Sequence, residues 1–493
     1  MTMLVSPTSA DEARLRTFFA AFVFTFSAVL IYINRAQLVL DPDTFWHVQV
    51  GHDMWQSKTL PTRDQYSFTF FGRPWIAKEW LSQVIYYLSY RAGGWNLVVA
   101  VATASLSLAM TLLFHFLSTR LRATVAIAIA LVASFAASGT YLARPHVLTF
   151  PLIVIWTEYL IRASEEDRAP AFWLLPVIAL WSNLHASFPI GLVMAALAFL
   201  NFVERNRFSR MADMRSWLLF LLGCGLATLV NPYGYKVLLV SLQFMQANEA
   251  VPYIGEWRPL VFADLPPHEV LIMFMLGCLL YFGLTLRAAK IIFILVMLHF
   301  FLQHVRFAYL FYYLVPLVAS YEIGAQHPRL SAAAWAAEQD DPVTRFLQRH
   351  AGLMTAGLAT IGAVVTAGFL VLADAEQKPK IAPSAALGYA RSAGLTGHVL
   401  NYYNFGGFLI FNGIKTFVDG RADQIFGGGF MNAMAATQKP GGDAALAAQL
   451  KKYDIAWTLL PPSDPRVYIL DRLPGWKRAY ADEWVVIHVP ERQ

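Results

Sequence analysis

The chain has 493 residues, 57% hydrophobic and 14% charged, with a formal net charge of +6 and a mean hydropathy of +0.47. Soluble globular chains carry roughly 25% charged residues, so this balance excludes an ordinary soluble domain and indicates an α-helical polytopic membrane protein. The positive charge invites a nucleic-acid reading, but the basic residues fall mainly in short loops between apolar runs, where topology bias accounts for them and no nucleic acid is expected.

Taken in chain order, about eleven apolar stretches have the length and flanking charge of transmembrane helices. They lie at 17–40, 95–118, 123–142, 147–162, 170–185, 187–204, 216–233, 269–287, 290–305, 307–323 and 351–372. The first lacks a small-residue cleavage site and reads as a retained span. One set of alternate loops holds Arg14 and Arg16; Arg120 and Arg122; Arg162 and Arg168; Arg205, Arg207, Arg210 and Arg215; Arg287 and Lys290; and Arg329, Arg345 and Arg349. Those loops read as cytoplasmic. The N-terminus is then inside a cytoplasmic (inner) membrane, and segments 41–94 and 234–268 face outward, toward a periplasm or its equivalent. The sequence thus divides into a transmembrane domain, 1–372, and an outward C-terminal domain, 373–493.

Within 41–94, Phe45–Trp55 and Glu79–Arg91 have the aromatic, amphipathic character of helices lying in the membrane interface. In 373–493, strand-like runs at Thr416–Val418, Ile455–Leu460 and Trp484–Val489 alternate with helix-like runs such as Asp443–Lys452, the pattern of a small α/β domain. The two cysteines, Cys224 and Cys278, both fall in apolar spans, which suggests neither a disulfide nor a metal site. P-loop, dinucleotide, HExxH and triad-type GxSxG motifs are missing, which argues against a nucleotide-fuelled pump.

The chemistry concentrates where the first span ends, at Asp41-Pro42-Asp43-Thr44-Phe45-Trp46-His47. A carboxylate at the lip of a helical bundle can act as a general base, although Asp43 also suits a helix N-cap. Further outward-facing groups are Arg144 and His146, His304 and Arg306, and His185, together with Lys236, Glu256 and Arg258 in the second long loop. Arginine forks and protonated histidines match a phosphate, and ionisable groups at membrane depth are costly enough to suggest function when several converge. The plainer reading for each one alone is anchoring at lipid headgroups. Glu79 either supports the site or simply places a negative charge at a helix N-terminus. Asp419-Gly420-Arg421-Ala422-Asp423 resembles a ligand-facing loop, although a turn or an Arg–Asp pair docking the C-terminal domain is the plainer reading, and Asn401-Tyr402-Tyr403-Asn404-Phe405-Gly406-Gly407 reads as an aromatic turn.

An acidic-x-acidic-x-aromatic-Trp opening after the first span resembles the GT-C superfamily of membrane glycosyltransferases, which use polyprenyl-phosphate-linked sugars. Many relatives begin that loop Asp-Glu-x-x-Tyr-Trp, a match that aligns Asp41 with their catalytic aspartate and Phe45-Trp46 with Tyr-Trp; here Pro42 replaces the Glu, which leaves the base open between Asp41 and Asp43. Trp46-His47, Asp64-Gln65-Tyr66-Ser67-Phe68, Glu79-Trp80-Leu81, Trp181-Ser182-Asn183-Leu184-His185, Asn231-Pro232-Tyr233-Gly234 and Val418-Asp419-Gly420-Arg421 look like those of a bacterial, largely uncharacterised subgroup. The resemblance implies inverting transfer of a hexose or pentose from a polyprenyl-phosphate donor to a glycan, lipid or protein acceptor in cell-envelope glycan biosynthesis. It implies Asp41 or Asp43 as base, Arg144, His146, His304 and Arg306 at the donor phosphate, and His47, Glu79, His185, Lys236, Glu256 and Arg258 around the substrate. Some relatives use a divalent metal, Mg or Mn; the sequence shows no clear acidic cage for one. Two other readings stand: an O-antigen polymerase- or ligase-like enzyme using a lipid pyrophosphate, relying on Arg258 and His304, and a non-enzymatic carrier or sensor of lipid-linked glycans.

Overall fold

A computed structural model describes residues 10–245, 255–333, 342–372, 375 and 378–491. Residues 246–254 and 334–341, which belong to the outward and cytoplasmic loops expected from the sequence, lie outside the described residues. The helical part runs α1 (Ala10–Ile33), α2 (Asp43–Ser57), α3 (Trp80–Ser118), α4 (Ala123–Ala137), α5 (Phe150–Glu165), α6 (Leu175–Leu184), α7 (Phe188–Asn206), α8 (Met211–Ala227), α9 (Tyr235–Met245), α10 (Pro266–Phe282), α11 (Ala288–Gln303), α12 (Ala308–Gln326) and α13 (Pro342–Leu372).

Each expected span falls on one of these helices. Among the described residues, seven helices are long and apolar enough to cross a membrane, those containing α1, α3, α4, α5, α7, α12 and α13. The other four, α6, α8, α10 and α11, have 10 to 17 residues. Their ends carry helix punctuation: α10 opens on Pro266-Pro267 and stops at Gly283, whose φ of 59° suits glycine. The chain is thus a multi-pass helical membrane protein. α1 packs on α3 and α13, α4 and α5 pack on α12, and α7 packs on α11.

The run 79–91, expected as a separate interfacial helix, is the first part of α3. Gly93 (φ −155°) and Gly94 (φ +61°) break the helical geometry, so two helical pieces meet at a kink rather than through a loop. Both residues lack a Cβ, and Gly94 occupies a conformation that side chains resist.

The C-terminal part has the expected α/β character. It runs α14 (Ser384–Ser392), β1 (His398–Asn401), α15 (Gly406–Phe411), α16 (Phe430–Ala436), α17 (Asp443–Lys452), β2 (Ile455–Leu459), α18 (Pro465–Leu470), β3 (Trp476–Ala481) and β4 (Val486–Pro490). β1 and β2 pair in parallel, β3 and β4 antiparallel, and a bridge from Leu460 to Val486 joins the two pairs. The expected strand at Thr416–Val418 is absent. Thr416 makes only an isolated parallel bridge with Ser67, because the turn at Asp419-Gly420 ends the extended run.

That bridge ties the first long loop to the C-terminal part. Phe68 N donates to Thr416 O at 3.1 Å and Thr416 N to Tyr66 O at 3.0 Å. Trp46, Tyr66, Phe70 and Trp75 share one buried apolar cluster with Phe417, Phe426, Phe430 and Met431. Each large side chain fully buried there contributes about 1.5–3 kcal/mol, which fixes the two segments against each other above α2 and α3.

Candidate active site

The chain leaves α1 and turns into α2 at Asp41-Pro42-Asp43. Pro42 has no N–H, so the first amide that needs a partner is Asp43 N, which donates to Asp41 Oδ1 at 2.7 Å. The expected capping role therefore falls to Asp41 and not to Asp43. The other Asp41 oxygen takes Arg144 Nε, leaving the Asp41 side chain fully buried, whereas Asp43 keeps 15% exposure and lines a cleft. Arg144 is held in place through its backbone. Tyr86 Oη donates to Arg144 O at 2.8 Å, Ala143 N donates to Leu38 O at 2.8 Å, and Thr44 Oγ1 donates to Ala143 O at 3.1 Å.

All three nitrogens of the Arg144 guanidinium meet carboxylates. Beyond the Asp41 contact, Nη2 lies 2.8 Å from Asp43 Oδ2 and Nη1 2.5 Å from Glu256 Oε1. Glu256 also takes Arg306 Nη1 at 3.1 Å, and the Arg306 guanidinium lies 4.4 Å from the centre of the Trp257 ring. Burial pushes the Asp43 carboxyl up to about 7; Asp41 and Glu256 add to that push, and Arg144 only partly offsets it. Burial raises Asp41 as well. At Glu256 burial acts upward too, but Arg144 and Arg306 together hold its carboxyl down at about 2.

The cleft's other residues come from the start of α3 and the turn after α6. Glu79 precedes α3 without capping it. Its carboxylate lies 3.2 Å from His185 Nε2 and 3.9 Å from His47 Nε2. Ser187 N donates to His185 Nδ1 at 3.2 Å, which places the ring proton on Nε2, toward Glu79. Burial raises Glu79 to about 6 and, with nearby cations, keeps His47 well below the usual histidine range. His146 lines the same cleft, with Nε2 2.9 Å from Thr140 O.

The C-terminal part closes the cleft. Tyr403, Gly420, Arg421 and Asp423 line it, and Asp423 pairs with Lys78. Gly420 presses so closely on Asp43 that an added Cβ would lie 1.8 Å from Asp43 Oδ1; one on Gly407 would lie 2.0 Å from Pro42 O. Behind Gly420, the fully buried Arg421 binds Asp419 through Nε and Nη2, both at 2.8 Å, and Asp64 through Nη1 at 2.6 Å. The free space measures about 120 Å³, room for on the order of ten waters.

Of the residues expected at the site, Asp43, His47, Glu79, Arg144, His146, His185, Glu256 and Arg306 line this cleft, with Asp41 just behind them. Three stand apart. Lys236 and Arg258 are exposed. The His304 ring turns away to Trp257, with Nδ1 2.7 Å from Trp257 O, because the extended backbone at the end of α11 directs it there. Lys78, Tyr403, Gly420 and Asp423 are additions that the sequence reading did not place here. For Tyr403, Gly420 and Asp423 the signal was the density of glycine, aromatic and charged residues in two segments read mainly as turns, and for Lys78 its place next to Glu79.

A divalent metal does not fit these residues. The carboxylates that could cage one converge on Arg144 instead, and among the described residues no group of three or more His, Cys, Asp or Glu is arranged to hold an ion.

The sequence matches no protein-family model and no curated protein. Among solved structures, the chain aligns with ArnT from Cupriavidus metallidurans bound to undecaprenyl phosphate, at 13% identity over 95% of this chain and 97% of that one, with a TM-score of 0.48. The apo form of the same protein gives 14% identity, the same coverage and 0.49. The Archaeoglobus fulgidus oligosaccharyltransferase tethered with an acceptor peptide gives 11% over 90% of this chain and 69% of that one, at 0.48. At such scores the likeness is one of loose chain course, and the residues of the cleft carry the chemistry.

Proposed function

We propose that the chain is a membrane glycosyltransferase of the GT-C type, moving a sugar from a polyprenyl-phosphate donor to an acceptor hydroxyl at the outer face of the cytoplasmic membrane. The observation that supports this best is the division of labour in the acidic pair. Asp41 is sealed behind Arg144, while Asp43 opens into a cleft whose walls carry Arg306, Lys78 and three histidines.

In this reading Asp43 takes the proton of the acceptor hydroxyl. The acceptor oxygen attacks the anomeric carbon, the bond from that carbon to the phosphate oxygen breaks, and the lipid phosphate leaves, inverting the configuration. A base whose proton affinity lies near neutrality suits this work, and a phosphate leaving group needs charge stabilisation more than protonation. Arg306 meets one carboxylate where Arg144 meets three, so it is the better placed of the two to receive the departing charge. The pyrophosphate-dependent alternative relied on Arg258 and His304, which both lie outside the cleft, and gains no support.

The test is transfer by the purified full chain in proteoliposomes, with a panel of radiolabelled hexosyl and pentosyl undecaprenyl phosphates. Asp43→Asn should lower transfer at least 100-fold. Unchanged transfer by both Asp43→Asn and Asp41→Asn would remove the catalytic assignment, and glycan movement across the bilayer without bond formation would replace the reading with a carrier.

A further inference from the structure

Three carboxylates drawn to one point in a buried site need a cation there. Asp41 and Asp43 are brought together by their own turn, but Glu256 comes from more than 200 residues further along the chain, so no local preference gathers all three. What gathers them is the Arg144 guanidinium, with one nitrogen for each acid. A divalent ion bound by the same acids would need their oxygens at about 2.0–2.6 Å from one centre, whereas here each oxygen meets a different nitrogen of a planar group. Arginine does not lose its proton in a protein, so the positive charge is permanent. Arg144 is also anchored through its own carbonyl and its neighbour's, which gives the side chain a fixed origin.

We infer that Arg144 is the resident cation of this cleft, balancing the three acids in place of a divalent metal, and that the site works without a metal ion. This deepens the glycosyltransferase reading, yet its central claim concerns ion binding and can be tested apart from transfer. In place of a Lewis acid, the cleft has a fixed planar donor that sets the spacing of the three acids. Asp43 is held at one edge of the guanidinium, with its remaining oxygen turned to the Gly420 side.

The experiment measures Mn²⁺ binding to the full chain in detergent by electron paramagnetic resonance, with thermal unfolding in EDTA, Mg²⁺ and Mn²⁺ alongside. The wild type should bind no stoichiometric Mn²⁺, and its unfolding temperature should be the same in all three. Arg144→Ala, which frees three uncompensated acids to close on one ion, should bind about one Mn²⁺ at least tenfold more tightly than wild type, whereas Arg144→Lys should not. Stoichiometric Mn²⁺ on the wild type that disappears in Asp43→Asn would overturn the inference even if Arg144→Ala fails to fold. So would a folded Arg144→Ala that gains no ion. Should transfer never be detected, these binding results still decide the point.

Discussion

Asp43 is costly to the fold and valuable to the proposed chemistry for the same reason. Its carboxyl ordinarily titrates near 3.8 and is lifted to about 7 by burial beside Asp41 and Glu256. A carboxylate with a raised folded-state pKa binds more protons folded than unfolded between those two values, so its contribution to stability falls as pH rises through that window. Asp43→Asn should therefore flatten the decline of unfolding temperature between pH 4 and 7 while abolishing transfer; a decline as steep as in wild type would contradict the raised pKa. For the wild type, transfer should rise with pH through about 7, because the base works only when deprotonated. A profile flat from pH 5 to 8 would assign the proton transfer elsewhere. Gly420 offers a steric test of the same contact. Gly420→Ala places a methyl group 1.8 Å from Asp43 Oδ1, so one of the two must move. Transfer should drop about 100-fold, as a displacement near 1 Å does elsewhere, while the circular dichroism spectrum stays that of wild type.

At the scale of elements, the Asp64–Arg421–Asp419 cluster sets the lid on the cleft. Arg421 is buried between two carboxylates and lies about 5 Å from the Tyr66 and Trp75 rings. It links the loop before α3 to the turn that carries Gly420. Removing the cation leaves two buried acids unpaired, a loss of about 3–5 kcal/mol for a broken buried pair. Arg421→Leu should lower the unfolding temperature and make the C-terminal part more sensitive to protease. Arg421→Lys should rescue little, since one ammonium cannot reproduce a fork that holds both acids. An unchanged melting curve in Arg421→Leu would show that the apolar cluster alone docks the C-terminal part. The kink in α3 is a milder device. Gly94 has open space around it but a φ of +61° with a ψ of −157°, a combination essentially restricted to glycine, so Gly94→Ala should cost about 1–3 kcal/mol of backbone strain.

Across the whole molecule, what could be read from the sequence follows the reach of the interactions. Spans were legible because hydropathy and length are local properties, and α17 because its pattern is complete within ten residues. The acid pair and Arg144, His146, Glu256 and Arg306 were legible as groups at one membrane boundary. A loop assignment fixes the side of the membrane but not the direction of a side chain, which is why Lys236, Arg258 and His304 fell away. Gly420 and Tyr403 reach Asp43 and its cleft only after more than 350 residues of chain have folded, and no local pattern carries that pairing. Sidedness is a property of the whole molecule. The Arg-rich loops meet one another: Arg122 N donates to Leu330 O at 2.8 Å, Arg205 pairs with Asp167, and Ala289 N donates to Glu204. The cleft gathers the opposite ends of the same helices, so the basic loops and the cleft occupy two separate faces. If lysine and arginine bias sets the orientation, the cleft faces outward. With Cys224 and Cys278 replaced by Ser, single cysteines at the exposed Thr59 and Ser209 report the two faces. In intact spheroplasts a membrane-impermeant maleimide should label Thr59→Cys at once and Ser209→Cys only after permeabilisation. The reverse order would move the cleft to the cytoplasmic side and change the pool of donors and acceptors it could meet.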